Sequence, residues 1–164
     1  MESSPRSRAG EIASHISMIV VTAANLILLT LLYEYIAWYT IEPDGSVTRL
    51  WMLTDDFFNW RPIPIAASIL AIAAYGVMII YNKYWFRMTA QIVLHVIGIA
   101  VVLSLVSIFP FDFSVIPNAT AVDVVPTLVT VFLLLMAIVY GSTALVLFAR
   151  LVRGRTSGSD HNEE

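Results

Sequence analysis

The chain has 164 residues, of which 59% are hydrophobic and 13% are charged, and its mean hydropathy is +0.81. A water-soluble domain of this size cannot bury so large an apolar fraction. The aromatic content of 12% is also the opposite of what a disordered chain carries. These values exclude a soluble globular domain and an intrinsically disordered protein, and they predict an integral membrane protein whose main partner is the lipid bilayer.

Long stretches without charged residues divide the chain into four candidate membrane spans. An α-helix needs about 20 apolar residues to cross about 30 Å of hydrocarbon, which matches the length of these stretches. A transmembrane β-strand would instead alternate polar and apolar residues, and apolar runs such as Leu133–Leu135 do not. The sequence therefore predicts an all-α fold, a single four-helix membrane domain over residues 1–164, with spans at 16–39, 62–82, 89–109 and 125–149.

The segments outside the spans are short. After the first span, Pro43, Asp44 and Gly45 separate two β-prone runs, which predicts a small β-hairpin on the extracytoplasmic side, between the first two helices. Residues 1–10 and 154–164 are polar and rich in Gly or Ser, so we expect both to be flexible cytoplasmic tails.

Basic residues are distributed unevenly between the two sides of the predicted spans. Seven of the 9 Lys and Arg residues lie in the termini and in the connection between the second and third spans, whereas Arg49 and Arg61 lie on the other side. Because cytoplasmic loops carry an excess of Lys and Arg, this distribution predicts an up-down bundle with both termini in the cytoplasm. The expected location is the cell (plasma) membrane.

Each of the four spans carries small or polar residues along one narrow face. Helices in lipid approach one another where small side chains let their backbones come close. At about 100° per residue, such residues fall on one narrow stripe of each helix and predict a compact bundle. The predicted helix-packing seam consists of Ala67, Ala71, Ala74, Gly98, Ala137, Gly141 and Ala144.

Two groups of polar residues inside the spans are candidates for a functional role. The first is a layer of Asn25, Tyr75, Gln91, His95 and Tyr140, which either holds the helices in register through mutual hydrogen bonds or serves a function. The second is Glu34, an intramembrane acid with Arg61 as its candidate partner, placed either at the interface or on a functional path.

The sequence offers little support for catalysis. The chain contains no Cys, which excludes disulfides and thiolate chemistry, and a single intramembrane histidine does not make a haem or metal site. We therefore expect no catalytic residues, no metal, no cofactor and no nucleic-acid partner.

The residue pattern favours a non-enzymatic accessory, assembly or scaffolding subunit, whose partners are other membrane subunits or further copies of itself. The second hypothesis is a small oligomeric transporter or channel that uses Glu34 and His95. A membrane enzyme ranks third. A continuous polar path between Glu34 and His95 would favour transport.

The sidedness of the chain can be tested with reporter fusions. A fusion at Gly45 should report an extracytoplasmic location and a fusion at Gly158 a cytoplasmic one, because the basic residues cluster on the side of the termini. Paired activity measurements with a periplasmic and a cytoplasmic reporter check this. Both positions on the same side would contradict the four-span topology.

Overall fold

The computed structural model describes residues 5–81 and 83–159 and is built mainly from helices. In chain order the elements are α1 (Pro5–Ile27), a π-helical turn (Leu28–Leu32), a 3₁₀ turn (Tyr33–Tyr35), β1 (Ala37–Ile41), β2 (Val47–Trp51), α2 (Asp56–Trp60), α3 (Pro62–Ile80), α4 (Tyr84–Ile108) and α5 (Ala119–Ser159). Among the described residues, four helical segments are long and apolar enough to cross a membrane: Ala9–Tyr35, Asp56–Ile80, Tyr84–Ile108 and Ala119–Arg153. The predicted number of apolar helices is confirmed.

The predicted hairpin is also present. Strands β1 and β2 pair antiparallel, from Ala37 opposite Trp51 to Ile41 opposite Val47. Gly45 has φ of +85°, which glycine adopts without strain, and its N–H donates to the carbonyl of Glu42 at 2.9 Å. The Asp44 carboxylate accepts hydrogen bonds from the Ser46 hydroxyl at 2.7 Å and the Ser46 N–H at 2.9 Å. These hydrogen bonds hold the pKa of Asp44 below its usual value.

The first helix ends earlier than predicted. The sequence placed its end at residue 39, but the helical turns stop at Tyr35 and the chain enters β1 at Ala37. Hydropathy alone cannot separate these structures, because aromatic residues such as Trp38 and Tyr39 suit both a membrane interface and a strand. The opposing strand decides the conformation, since Tyr39 pairs with Arg49.

Other helix ends also differ from the predicted ones. Helix α3 ends at Ile80 rather than 82, α4 covers 84–108 rather than 89–109, and α5 covers 119–159 rather than 125–149. Residues 5–10 and 154–159, which were expected to be tails, continue α1 and α5, whereas 1–4 and 160–164 lie outside the described residues. The predicted ends were placed at charged residues. The helices continue past them because extending an existing helix is much easier than starting one.

The start of α5 is capped by a side chain. The Asn118 side-chain oxygen accepts a hydrogen bond from the Ala121 N–H at 3.2 Å.

The long helices pack in sequence order. Within the described residues, extensive contacts join α1 to α3, α3 to α4, and α4 to α5, while the short α2 packs on α3 and α4. Outward positions carry large apolar side chains, including Leu31, Ile138 and Leu145, which are 65% exposed or more. This exposed apolar surface is consistent with contact with lipid. The up-down order and the side of each terminus stay predictions.

The contact between α4 and α5 can be tested with two glycines. A Cβ atom on Gly98 would lie 3.4 Å from the Tyr140 ring, whereas a Cβ atom on Gly76 would meet nothing within 4 Å. Both Gly→Leu changes improve helix propensity similarly, so Gly98→Leu should be less stable than Gly76→Leu by roughly 1–3 kcal/mol. The measurement is the free energy of unfolding in detergent. Equal stabilities would show that the α4–α5 contact is not close at Gly98.

Candidate functional site

A cavity of about 350 Å³ lies between the helices and is lined by residues of α1, α2, α3, α4 and α5. Most of its wall is apolar, with Leu29, Pro64, Val102 and Leu133 among the lining side chains. The three extensive contacts between long helices close three of its sides. In the described part of the chain no comparable contact joins α1 to α5, although both line the cavity. We infer that the cavity opens between these two helices, because Met18 and Asn25 of α1 line it and are also exposed.

The end of the cavity nearest the sheet is closed by an aromatic cluster. Leu29, Phe57 and Trp60 form a buried core there, and Phe57 is only 2% exposed. The indole N–H of Trp60 donates to the Ser104 hydroxyl at 3.0 Å and so ties α2 to α4. The adjoining loops are also connected, because the Thr54 N–H donates to the Pro110 carbonyl at 3.1 Å. This end of the bundle is tightly packed.

Polar side chains from all four long helices line the cavity: Thr22, Asn25, Ser68, Tyr75, His95 and Tyr140. Ser68 and Tyr75 are buried, at 5% and 8% exposure, whereas Asn25 is exposed. An exposed residue that also lines the cavity must lie near the opening. Asn25 is thus at the rim between α1 and α5, and the polar groups of α3, α4 and α5 come from the other walls.

The hydrogen bond of His95 defines which ring nitrogen carries the hydrogen when the ring is neutral. Its Nδ1 lies 2.7 Å from the Gln91 carbonyl oxygen. Because a carbonyl oxygen can only accept, Nδ1 carries the hydrogen, and Nε2 of the neutral ring has a free lone pair. The ring also meets Tyr140 edge-on, with centroids 5.8 Å apart. His95 therefore has a fixed orientation and one unused acceptor.

Four members of the predicted polar layer, Asn25, Tyr75, His95 and Tyr140, line this one cavity. The fifth, Gln91, does not line it and contributes only its backbone carbonyl. Sequence reasoning missed Ser68. Its spacing to Ala71 and Tyr75 places all three on one helix face, and that pattern could have identified it.

The predicted packing seam occupies two kinds of environment. Ala67, Ala71 and Gly98 line the cavity, and Gly98 also lies against the Tyr140 ring. The other members, Ala74, Ala137, Gly141 and Ala144, are half-buried or buried and do not line it. The small residues of the predicted seam therefore lie in two places, some at the wall of the cavity and others at contacts between helices.

Glu34 and Arg61 do not form an ion pair in the described part of the chain. The Arg61 guanidinium lies over the Tyr33 ring, 4.6 Å from its centroid, and Glu34 is exposed. Tyr33 and Glu34 are adjacent in a 3₁₀ turn, so their side chains point in different directions and Arg61 meets only the first. Glu34 does not line the cavity.

The sequence did not indicate a polar network at the opposite end of the bundle from the sheet. Glu11 of α1 forms an ion pair with Arg87 of α4. One helical turn further along α1, His15 is buried and its ring lies 5.8 Å from the Tyr75 ring. Glu11 and His15 are four residues apart, so both lie on the face of α1 that is turned toward the bundle. This spacing could have indicated the network from the sequence.

No known protein family, no curated protein and no solved structure matches this chain. Among the described side chains, no group of three His, Asp or Glu residues lies close enough together to hold a metal ion. The function must therefore be inferred from the geometry of the cavity and of its opening.

The Glu11–Arg87 ion pair can be measured with a double-mutant cycle. The Glu11 side chain is 39% exposed, so solvent screening should keep the coupling energy between Glu11→Gln and Arg87→Gln below about 1 kcal/mol. Unfolding in detergent at low and high salt checks this, and the coupling should fall at high salt. A coupling that does not change with salt would contradict the ionic assignment.

Proposed function

We propose that this chain is a non-enzymatic accessory protein of a membrane that acts by binding at the open side of its bundle. The observation that carries the proposal is the cavity between the four long helices, whose α1 wall includes the exposed residues Met18 and Asn25. Asn25 supports it, because a polar side chain on the exposed rim of an apolar helix needs a hydrogen-bond partner in the membrane.

The shape of the cavity favours binding over conduction. Trp60 and Leu29, both buried in the aromatic cluster, form its wall at the end nearest the sheet. A path across the membrane would have to pass this cluster to reach Glu34, which is exposed and outside the cavity. A cavity that ends at packed aromatic rings suits a molecule that enters from the side.

The transporter hypothesis remains the alternative and makes a different prediction. Transport of protons or cations through Glu34 and His95 requires both residues to exchange charge along one path. Glu34→Gln would then abolish ion flux into proteoliposomes without changing the melting temperature. On the binding hypothesis we expect no protein-dependent flux to be lost in this variant.

The binding hypothesis can be tested by labelling, because the natural chain has no Cys and a single introduced one is unique. A benzophenone attached to Asn25→Cys should form saturable cross-links to a distinct species in native membranes. The matched control is Val20→Cys, on the same helix, 61% exposed and outside the cavity lining. The control should give only diffuse lipid adducts. Identical cross-linking from both positions would contradict binding at the opening.

A further inference from the structure

We propose that the cavity binds a neutral amphiphile from the bilayer, with a hydroxyl or carbonyl oxygen among His95, Tyr140 and Ser68 and an apolar body extending toward Trp60 or out through the opening. This inference rests on the proposed function, since it names the occupant of the same open side. Four observations carry it: hydrogen bonding, charge, volume and access.

Several hydroxyl groups on the helices, including that of the cavity-lining Thr22, bond back to their own backbone. Thr22, Thr30 and Thr143 each donate to the carbonyl four residues earlier, at 2.7–2.8 Å. Other polar side chains that line the cavity differ from Thr22, because those of Asn25, Ser68, Tyr75 and Tyr140 have no hydrogen-bond partner within the described part of the chain. An unmet polar group in an apolar environment is unfavourable by roughly 1–3 kcal/mol. A bound molecule with a polar oxygen would satisfy several of these groups at once.

The available groups define the chemistry of that oxygen. Tyr75, Tyr140 and Ser68 can donate hydrogen bonds, and the free Nε2 of His95 can accept one. A carbonyl oxygen would accept from the hydroxyl groups. A hydroxyl group would accept from them and also donate to His95.

The lining also determines the charge of the occupant. No Asp, Glu, Lys or Arg is among the residues that line the cavity. A phosphate, carboxylate or ammonium group would therefore lie in an apolar space without an opposite charge, which is strongly unfavourable. A neutral headgroup avoids this, so the phosphate of a phospholipid does not fit.

The volume sets the size of the bound part. A dry apolar cavity of about 150 Å³ in another protein takes one benzene molecule. The cavity of about 350 Å³ can accommodate a ring or headgroup together with a short length of chain. A longer tail would leave between α1 and α5, where the bundle is open to lipid, so the ligand can enter without crossing a polar surface.

Two neutral probes and one charged probe test the proposal. A benzoquinone with a decyl tail supplies carbonyl oxygens, decanol supplies a hydroxyl, and decyl phosphate supplies the same tail with a negative charge. With the full chain in phosphatidylcholine nanodiscs, we expect the quinone to quench Trp fluorescence saturably, because Trp60 lines the cavity. Decanol should displace the quinone, and decyl phosphate should not.

Three variants locate the binding. Ala67→Leu fills the cavity and should weaken quinone binding by at least tenfold, whereas Ala66→Leu, an exposed neighbour on α3, should leave it unchanged. Tyr140→Phe keeps the ring against Gly98 and removes one hydroxyl, so the affinity should fall about three- to tenfold. Equal melting temperatures of Ala67→Leu and Ala66→Leu would show that any difference in affinity is local.

The possible outcomes separate this proposal from the proposed function. No saturable quenching in the natural chain, equal binding in Ala67→Leu and Ala66→Leu, or equal displacement by decyl phosphate would each overturn the ligand. If the label at Asn25→Cys then cross-links to a protein, the proposed function holds and the occupant is a transmembrane helix. If the labels at positions 25 and 20 behave alike, the proposed function itself is wrong.

Two outcomes support the proposal and distinguish the ligand. If the quinone quenches Trp fluorescence and decanol does not displace it, the site takes a carbonyl group. If decanol does displace the quinone, the site takes hydroxyl groups as well.

Discussion

Hydrocarbon provides no hydrogen-bond partners, so a polar group in an apolar bundle must find its partner in the protein itself or in a bound molecule. Helices meet this requirement for the backbone, and local bonds such as Thr130 to the Pro126 carbonyl meet it for several hydroxyl groups. Within residues 5–81 and 83–159, the β-strands, whose backbone groups pair with another segment, occur only in the hairpin between the first two apolar helices. Buried polar atoms without a partner occur on His15, Arg49, Thr54 and Thr89, outside the cavity lining. Asn25, Ser68, Tyr75 and Tyr140, which line the cavity, also lack a hydrogen-bond partner among the described residues, and the proposed site depends on them.

The bundle is held together at both ends, and its first and last long helices share few contacts. Near the sheet, Trp60 bonds to Ser104 and the loop carbonyl of Pro110 accepts from Thr54. At the other end, Glu11 pairs with Arg87. Between these ends the helices follow one another in a row whose first and last members, α1 and α5, do not pack extensively within the described residues. This arrangement leaves room for a cavity without loosening either end, and it is the basis of the proposed lateral opening.

The sequence predicted some features well because they depend on local chemistry. The four apolar helices follow from charge-free length, and the hairpin follows from the turn at Asp44 and Gly45. Helix ends were less predictable, since apolar and aromatic residues such as Trp38 occur in both helices and strands, and since α5 continues past the charges that marked its predicted end. Arg61 was assigned to Glu34 by depth alone, but the turn directs Glu34 away and presents the Tyr33 ring instead.

The sequence by itself determined the number of apolar helices, the position of the hairpin and the helix faces that carry small and polar residues. These features depend on hydropathy, on turn chemistry and on the angle between successive residues, all of which are local. Only the tertiary structure decided which helices are neighbours, and therefore whether a small residue such as Ala67 faces another helix or an empty space. The cavity exists because α1 and α5 do not pack extensively against each other, and the pairing of helices depends on contacts between residues far apart in the chain.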